Sequence, residues 1–207
     1  MFFDKFMAKQ LGCPSGIFSS LTALILNRTN SDINKATVEL MDIKSNDRVL
    51  EIGFGGGTAM EQMARLIENG LVAGIDISDS MVKRGQNKFA KSISQGKVQI
   101  KKGDASRIPY ERGYFDKACT VNTIFFWSEP VTCLKEIHRI LKPRGLIVLS
   151  VDAKEEIEEL PVTRYGFALY SDNELRNFLN EAGFLNIRVE RRRGQQSTSV
   201  LLVATKR

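Results

Sequence analysis

Four glycines fall within five positions, Gly53, Gly55, Gly56 and Gly57, and a carboxylate stands two residues ahead of the first, at Glu51. Glycines let a backbone approach a ligand closely. A helix that starts just after them offers free N–H groups and the positive end of its dipole. Nucleotide-like cofactors bind in this way, but the phosphate-bearing ones fit poorly. A Walker loop needs Gly-Lys-Ser/Thr, and no lysine follows these glycines. The dinucleotide fingerprint G-x-G-x-x-G asks for glycine where Thr58 stands. Glu51 is ill placed for a pyrophosphate and well placed for a cationic amino group. A second acid, Asp76, closes the apolar segment Leu71–Ile75, about 20 residues beyond the loop, where a carboxylate can accept from both ribose hydroxyls. Ser78 is the better N-cap for the next helix, which leaves Asp76 to a ligand.

The elements that must position these groups are legible around them. Val49, Leu50 and Ile52 form a short apolar run, as a buried parallel strand would, and Met60, Met63, Ala64 and Ile67 recur at the spacing of one helix face. Val98 to Lys102 leads into Gly103-Asp104-Ala105, and a strand from Phe115 to Val121 ends at Asn122. A helix carrying Leu134 to Leu141 is expected to stop at Pro143, turn at Gly145 and return as the strand Leu146–Leu149. This alternation predicts a doubly wound α/β sheet. The ending differs. Ser171 and Glu174 read as a capping box for a helix with Leu175, Phe178, Leu179 and Ala182 on one face, and Gly183 ends it. Two strands, Ile187–Val189 and Val200–Ala204, then follow across a polar turn, Gly194 to Thr198, with no helix between them. Such a hairpin makes one of them antiparallel. Before residue 47, Leu21, Leu24 and Ile25 suggest one helix and Ile33, Ala36, Thr37 and Leu40 a second, and Phe2, Phe3, Phe6 and Met7 make a small apolar face.

The series Val-Leu-Glu-Ile-Gly-x-Gly-x-Gly from Val49, Gly-Ile-Asp ending at Asp76, Gly-Asp-Ala from Gly103, Phe115-Asp116 and Leu-Lys-Pro-x-Gly from Leu141 resembles, in order and spacing, the motifs of class I S-adenosylmethionine-dependent methyltransferases of the small-molecule type. The resemblance covers residues 48 to 150. It implies a Rossmann-like, seven-stranded, mostly parallel sheet with a C-terminal antiparallel hairpin and helices on both faces. It further implies an N-terminal helical cap or lid (1–46) over a cofactor-binding core (47–207). S-adenosylmethionine would be held by Glu51, Gly53, Gly55, Gly57, Asp76, Ile77, Met81, Gly103, Asp104, Ala105 and Asn122, with the Gly103–Ala105 segment on the adenine, and would leave as S-adenosylhomocysteine. A small methyl acceptor would meet Phe126, Trp127, Tyr165 and Tyr170. The aromatic character of these segments leans toward a hydrophobic or aromatic, quinone- or lipid-like acceptor.

At 207 residues and 43% hydrophobic composition the chain suits one domain with a full core. No apolar run is long enough for a membrane span, and the start lacks a secretory pattern. Three scattered cysteines, Cys13, Cys119 and Cys133, and one histidine, His138, give no metal-ligand spacing, so no metal is expected and a reduced, cytoplasmic setting is. His138 reads as structural, so no histidine base is expected and no catalytic residue is assigned. The net charge of +6 and the cluster Arg188, Arg191, Arg192 and Arg193 raise the alternative of RNA or another macromolecule as acceptor. Asn122-Thr-Ile-Phe stands where base-amino methylation would have Asn-Pro-Pro-aromatic, and no nucleic-acid module fits, so that alternative is disfavoured. A non-catalytic S-adenosylmethionine-binding protein is the third reading, because fold does not guarantee turnover.

Overall fold

The computed structural model describes residues 2–14 and 30–207. The helix expected around Leu21, Leu24 and Ile25 lies outside them, as do the side chains of Phe2 and Phe3. In chain order the elements are α1 (Phe2–Gly12), α2 (Ser31–Met41), β1 (Arg48–Ile52), α3 (Thr58–Leu66), β2 (Leu71–Asp76), α4 (Asp79–Lys88), α5 (Ala90–Ser94) and β3 (Val98–Lys102). They continue with β4 (Phe115–Val121), α6 (Pro130–Ile140), β5 (Leu141–Asp152), α7 (Lys154–Ile157), α8 (Asp172–Glu181), β6 (Leu185–Arg193) and β7 (Thr198–Thr205). Two 3-10 turns, Ile124–Phe126 and Pro161–Arg164, follow β4 and α7.

The strands form one seven-stranded sheet in the order β3-β2-β1-β4-β5-β7-β6. Neighbouring strands from β3 through β5 run parallel, and β7 lies antiparallel between β5 and β6. The expected hairpin is therefore present, with strands longer than the apolar runs suggested. Strand order reverses between β1 and β4, and a crevice opens at the carboxyl ends of strands at such a switch point.

Both faces of the sheet are covered, which is why its central strands are apolar without strict alternation. On one face Leu50, Ile52, Ile75 and Leu149 pack with Leu134 and Ile137 of α6 and Leu175 and Leu179 of α8. On the other, Val49, Val72 and Val148 pack with Met60 and Met63 of α3, Met81 of α4, and Val38 and Met41 of α2. The capping box at α8 is formed in both directions between Ser171 and Glu174.

One expectation is corrected. Helix α6 ends at Ile140, before Pro143, and the turn is made by Arg144 in the left-handed region (φ 63°), not by Gly145. Gly145 is needed for space, because a Cβ there would lie 2.8 Å from the Lys142 carbonyl oxygen and 3.1 Å from that of Asp116. The second N-terminal helix, α2, is mainly core: Thr37 shares a 2.7 Å hydrogen bond with Ser150 beneath it, and only Asn30 and Asn34 at its start reach the cavity described next.

Candidate cofactor and acceptor site

A cavity of about 990 Å³ opens at the carboxyl ends of β1, β2, β4 and β5, roofed by α1 and the turn at Pro161–Arg164. That is large enough for a nucleoside cofactor with a second small molecule beside it.

The floor is the glycine loop. Gly53 adopts φ +71°, and a side chain there would collide with Thr123. Its N–H donates to the Ile75 carbonyl at 2.8 Å, which ties the loop to β2. Gly55, at φ 48°, donates to Asp76 Oδ2 at 3.1 Å. Lys88 grips the loop from α4, donating to the Gly56 and Gly57 carbonyls at 3.1 and 3.4 Å while pairing with Glu61 at 3.2 Å. Lys88 has no sequence motif to announce it.

Glu51 is the most telling group. It is 3% exposed, and its Oε2 has no hydrogen-bond partner although it is buried. Burial pushes its carboxyl up to about 8, Asp76 adds to the rise, and the Met60 N–H opposes it. A buried, unpartnered carboxylate oxygen at a cavity wall is costly unless a donor arrives. A cationic amino group is the donor that fits. Asp76 is also buried and its carboxyl raised by burial, against hydrogen bonds from the backbone of Ser78, Gly55 and Ile77. Ser78 caps α4 by accepting from the Met81 N–H at 3.3 Å, as expected, and its hydroxyl donates to the Pro14 carbonyl just beyond α1.

The remaining residues expected from the sequence divide. Glu51, Gly53, Gly55, Asp76, Ile77, Gly103, Asp104, Ala105 and Asn122 all line the cavity, as do Phe126, Trp127 and Tyr165. Ile77 is 50% exposed there, an apolar side chain with nothing covering it. Asp104 folds back on Ser106, accepting from its N–H and hydroxyl at 2.7 Å each. Three residues do not reach the cavity. Gly57 is the left-handed N-cap of α3, and a Cβ there would lie 2.9 Å from the Phe89 ring, so its role is packing, and Gly56 takes the lining position. Met81 is wholly buried in the core beneath α4. Tyr170 packs edge-on against Phe178 of α8, with ring centroids 5.1 Å apart.

Asn122 sits at φ 55° and is held from two sides. Its Oδ1 accepts from the Asp152 N–H at 2.8 Å, and its Nδ2 donates to Asp152 Oδ2 at 2.9 Å and Asn30 Oδ1 at 3.2 Å. Asp152, at the end of β5, also accepts from Ser197 at 2.6 Å, lines the cavity, and is raised by burial with Glu156 adding to the rise. Sequence reasoning passed over Asp152. Its signal was the one that marked Glu51 and Asp76, a polar residue closing an apolar strand.

The nucleophile and base candidates are poor. Burial pushes the Cys133 thiol up to about 12 and Cys119 well above its ordinary value, so neither is a thiolate at neutral pH. His138 stacks edge-on with Phe184 at 5.1 Å, outside the cavity lining, with its pKa lowered by burial and by Lys206 and Arg112. Among the described residues no group of His, Cys, Asp and Glu is arranged to hold a metal.

Sheet order, hairpin and loop define a Rossmann-like α/β protein that binds an adenosyl cofactor with a cationic tail. Comparison with known proteins carries this further. Residues 50–149 match the family model described as "Methyltransferase domain". The uncharacterized methyltransferase YdaC of Bacillus subtilis is 26% identical over 187 residues, 90% of this chain and 98% of that protein. The ubiquinone/menaquinone biosynthesis C-methyltransferase UbiE of Teredinibacter turnerae is 35% identical over 146 residues, 68% of this chain but 56% of that protein, so the match spans little more than half of it. In fold, a SAM-dependent methyltransferase from Aquifex aeolicus superposes with a TM-score of 0.69 over 83% of this chain and 88% of that one, at 24% identity. The chain belongs to the class I S-adenosylmethionine-dependent methyltransferases.

Proposed function

We propose that the chain methylates a small hydrophobic or aromatic acceptor held between the strand ends and α1. The observation that carries this reading is the acceptor side of the cavity. Phe126, Trp127, Leu160, Val162, Tyr165 and Phe167 make an apolar wall beside the polar strand ends. The relatives point the same way. Besides the UbiE-type protein, the demethylmenaquinone methyltransferase of Staphylococcus aureus is 26% identical over 185 residues, 75% of each chain. A quinol-like ring is therefore the acceptor class to test first.

When bound, S-adenosylmethionine supplies an electrophilic methyl group and a neutral thioether leaving group. The chain's own tasks are positioning and water exclusion. Glu51 would accept from the cofactor's amino group, Asp76 from its ribose, and the Gly53–Gly56 backbone would lie against it. Asp104 and Ala105 would border the adenine, with Ile77 as its apolar cover. Asn122, fixed by Asp152, would face the methionine portion. The segment 1–46 would act as a cap on the 47–207 core: α1 lines the cavity, and a Cβ at Gly12 would lie 2.8 Å from Phe126, so the roof rests directly on the acceptor wall.

Macromolecular substrates are disfavoured by the pairing of three of the four clustered arginines, Arg188 being in no ion pair among the described residues. Arg191 binds Glu155 and Asp172, Arg192 binds Glu39 and Glu190, and Arg193 binds Glu156. Among the described residues no helix is long and apolar enough to cross a membrane. The free cysteines suit a reducing, cytoplasmic setting.

Calorimetric titration with S-adenosylmethionine, S-adenosylhomocysteine and NAD, followed by turnover of a short-prenyl demethylated naphthoquinol, tests the reading. Micromolar binding of the first two, with methylated quinol formed, is expected. Binding without turnover of the quinol, or of a panel of aromatic acceptors, would leave a cofactor-binding protein and refute the acceptor class.

A further inference from the structure

The cavity separates its charges. Its acids, Glu51, Asp76, Asp104 and Asp152, stand at or just beyond the strand ends, whereas Lys5 and Lys9 of α1 and Arg164 of the facing turn line the roof. Lys5 and Lys9 are four residues apart and so share a helix face, and Ala8 beside them is buried. The helix and the turn are in contact and Arg164 lies near Asp4, so Arg164 and Lys5 come to one end of the roof, with Lys9 one helical turn further along.

These cations are not among the ten Lys and Arg side chains that form ion pairs among the described residues. Lys88, Lys102, Lys117 and Lys142 each meet a carboxylate, as do the three paired arginines of β6. Lys5 and Lys9 are in no ion pair among the described residues. Arg164 is near Asp4, which feels its charge, and the group of four remains net positive. A net positive end of the roof over an apolar wall has a use when the ligand is an amphiphile with an anionic end.

Two anions could arrive: the cofactor's own carboxylate or a group on the acceptor. The placement of α1 favours the second. Its C-terminal end is tied to the ribose side of the cavity, through the Pro14 carbonyl and Ser78. Lys5 lies about 10 Å back along the helix axis from Gly12. It stands with the Pro161–Arg164 turn, which follows β5, the strand on the acceptor side of the switch point.

We propose that Lys5, Lys9 and Arg164 form a receptor for an anionic group, a phosphate or carboxylate, on the methyl acceptor, whose apolar body lies against Phe126 and Trp127. This rests on the hydrophobic-acceptor reading above and adds a charge to it. The receptor binds the acceptor and selects it; it takes no part in the transfer itself.

The test uses the full chain loaded with S-adenosylhomocysteine and two probes that differ in one group, 1-naphthol and 1-naphthyl phosphate. Exposed charge pairs are individually weak, so the three together should give the phosphate about a tenfold tighter binding. That preference should fade at high salt. It should vanish in the triple variant Lys5→Gln, Lys9→Gln, Arg164→Gln, while affinity for naphthol and for S-adenosylhomocysteine stays as in the parent. Equal binding of the two probes by the parent, or a preference that survives in the variant, overturns the receptor and leaves the hydrophobic-acceptor reading standing. A variant that loses S-adenosylhomocysteine affinity assigns the cations to the cofactor carboxylate and overturns it too. Failure of both probes to bind overturns both readings.

Discussion

Replacing Glu51 by Gln changes one property of the cavity floor while keeping its shape. The amide oxygen still accepts the Met60 N–H, but the group no longer ionises. In the parent, burial holds the folded-state carboxyl at about 8 against an ordinary value of 4.5. Between those values the folded chain keeps a proton that the unfolded chain has released. Stability contributed by this group is therefore full below pH 4.5 and is lost as pH rises toward 8. At about 1.4 kcal/mol per pH unit, the loss between pH 5 and pH 7.5 is about 3 kcal/mol. Urea unfolding of both proteins across that range, without cofactor, should show Glu51→Gln gaining about 3 kcal/mol relative to the parent from the acid to the neutral end. Cofactor binding should run the opposite way. The cofactor's ammonium needs the carboxylate, so binding below pH 8 must expel one proton, and affinity should rise up to about tenfold per pH unit. In Glu51→Gln that slope should disappear and affinity fall about 10- to 100-fold, the value of a hydrogen bond to a charged group. Calorimetry in two buffers of different ionisation enthalpy counts the proton directly. Parallel stability curves, together with cofactor binding that releases no proton at pH 7, would refute the reasoning at its root, the unpartnered Oε2.

Other substitutions separate the remaining roles. Asp76→Ala removes the partner of the Gly55 and Ser78 N–H groups as well as the expected ribose contact, so S-adenosylhomocysteine affinity should fall at least about tenfold; unchanged affinity by calorimetry would take Asp76 out of the site. Gly55→Val forces a β-branched residue to a positive φ beside the cavity. It should abolish cofactor binding while circular dichroism shows the sheet intact. Iodoacetamide at pH 8 should label the exposed Cys13 alone in the native protein, because the thiols of Cys119 and Cys133 are buried and raised; mass spectrometry showing modified Cys133 would refute this. His138→Asn should leave kcat and KM for any accepted quinol unchanged, and a fall in kcat would reinstate a histidine base.

Much of this could be read from the chain because it is local. A strand that enters a glycine loop and then a helix is encoded in adjacent residues, so spacing and the motif resemblance together singled out Glu51, Gly53, Gly55 and Asp76, and all four line the cavity. The capping box at Ser171 and Glu174 and the terminal hairpin were legible for the same reason, since hydrogen-bonding and side-chain period act over a few residues. What the sequence did not disclose depends on residues far apart in the chain. Spacing cannot say that Met81 turns into the core or that Tyr170 packs against Phe178 instead of the cavity, because only tertiary packing chooses which way a side chain faces. It cannot say that Gly57 is needed for a ring 32 residues later, or that Lys88 reaches back to hold the loop. The roof is the clearest case. Lys5, Lys9 and Arg164 are ordinary surface residues by type, and Asp152 an ordinary acid. They share one cavity only because the sheet's switch point opens it and α1 closes over it. The cofactor half of the site is thus a property of neighbouring residues, whereas the acceptor half is decided by tertiary structure, where burial and distance set which groups meet a ligand.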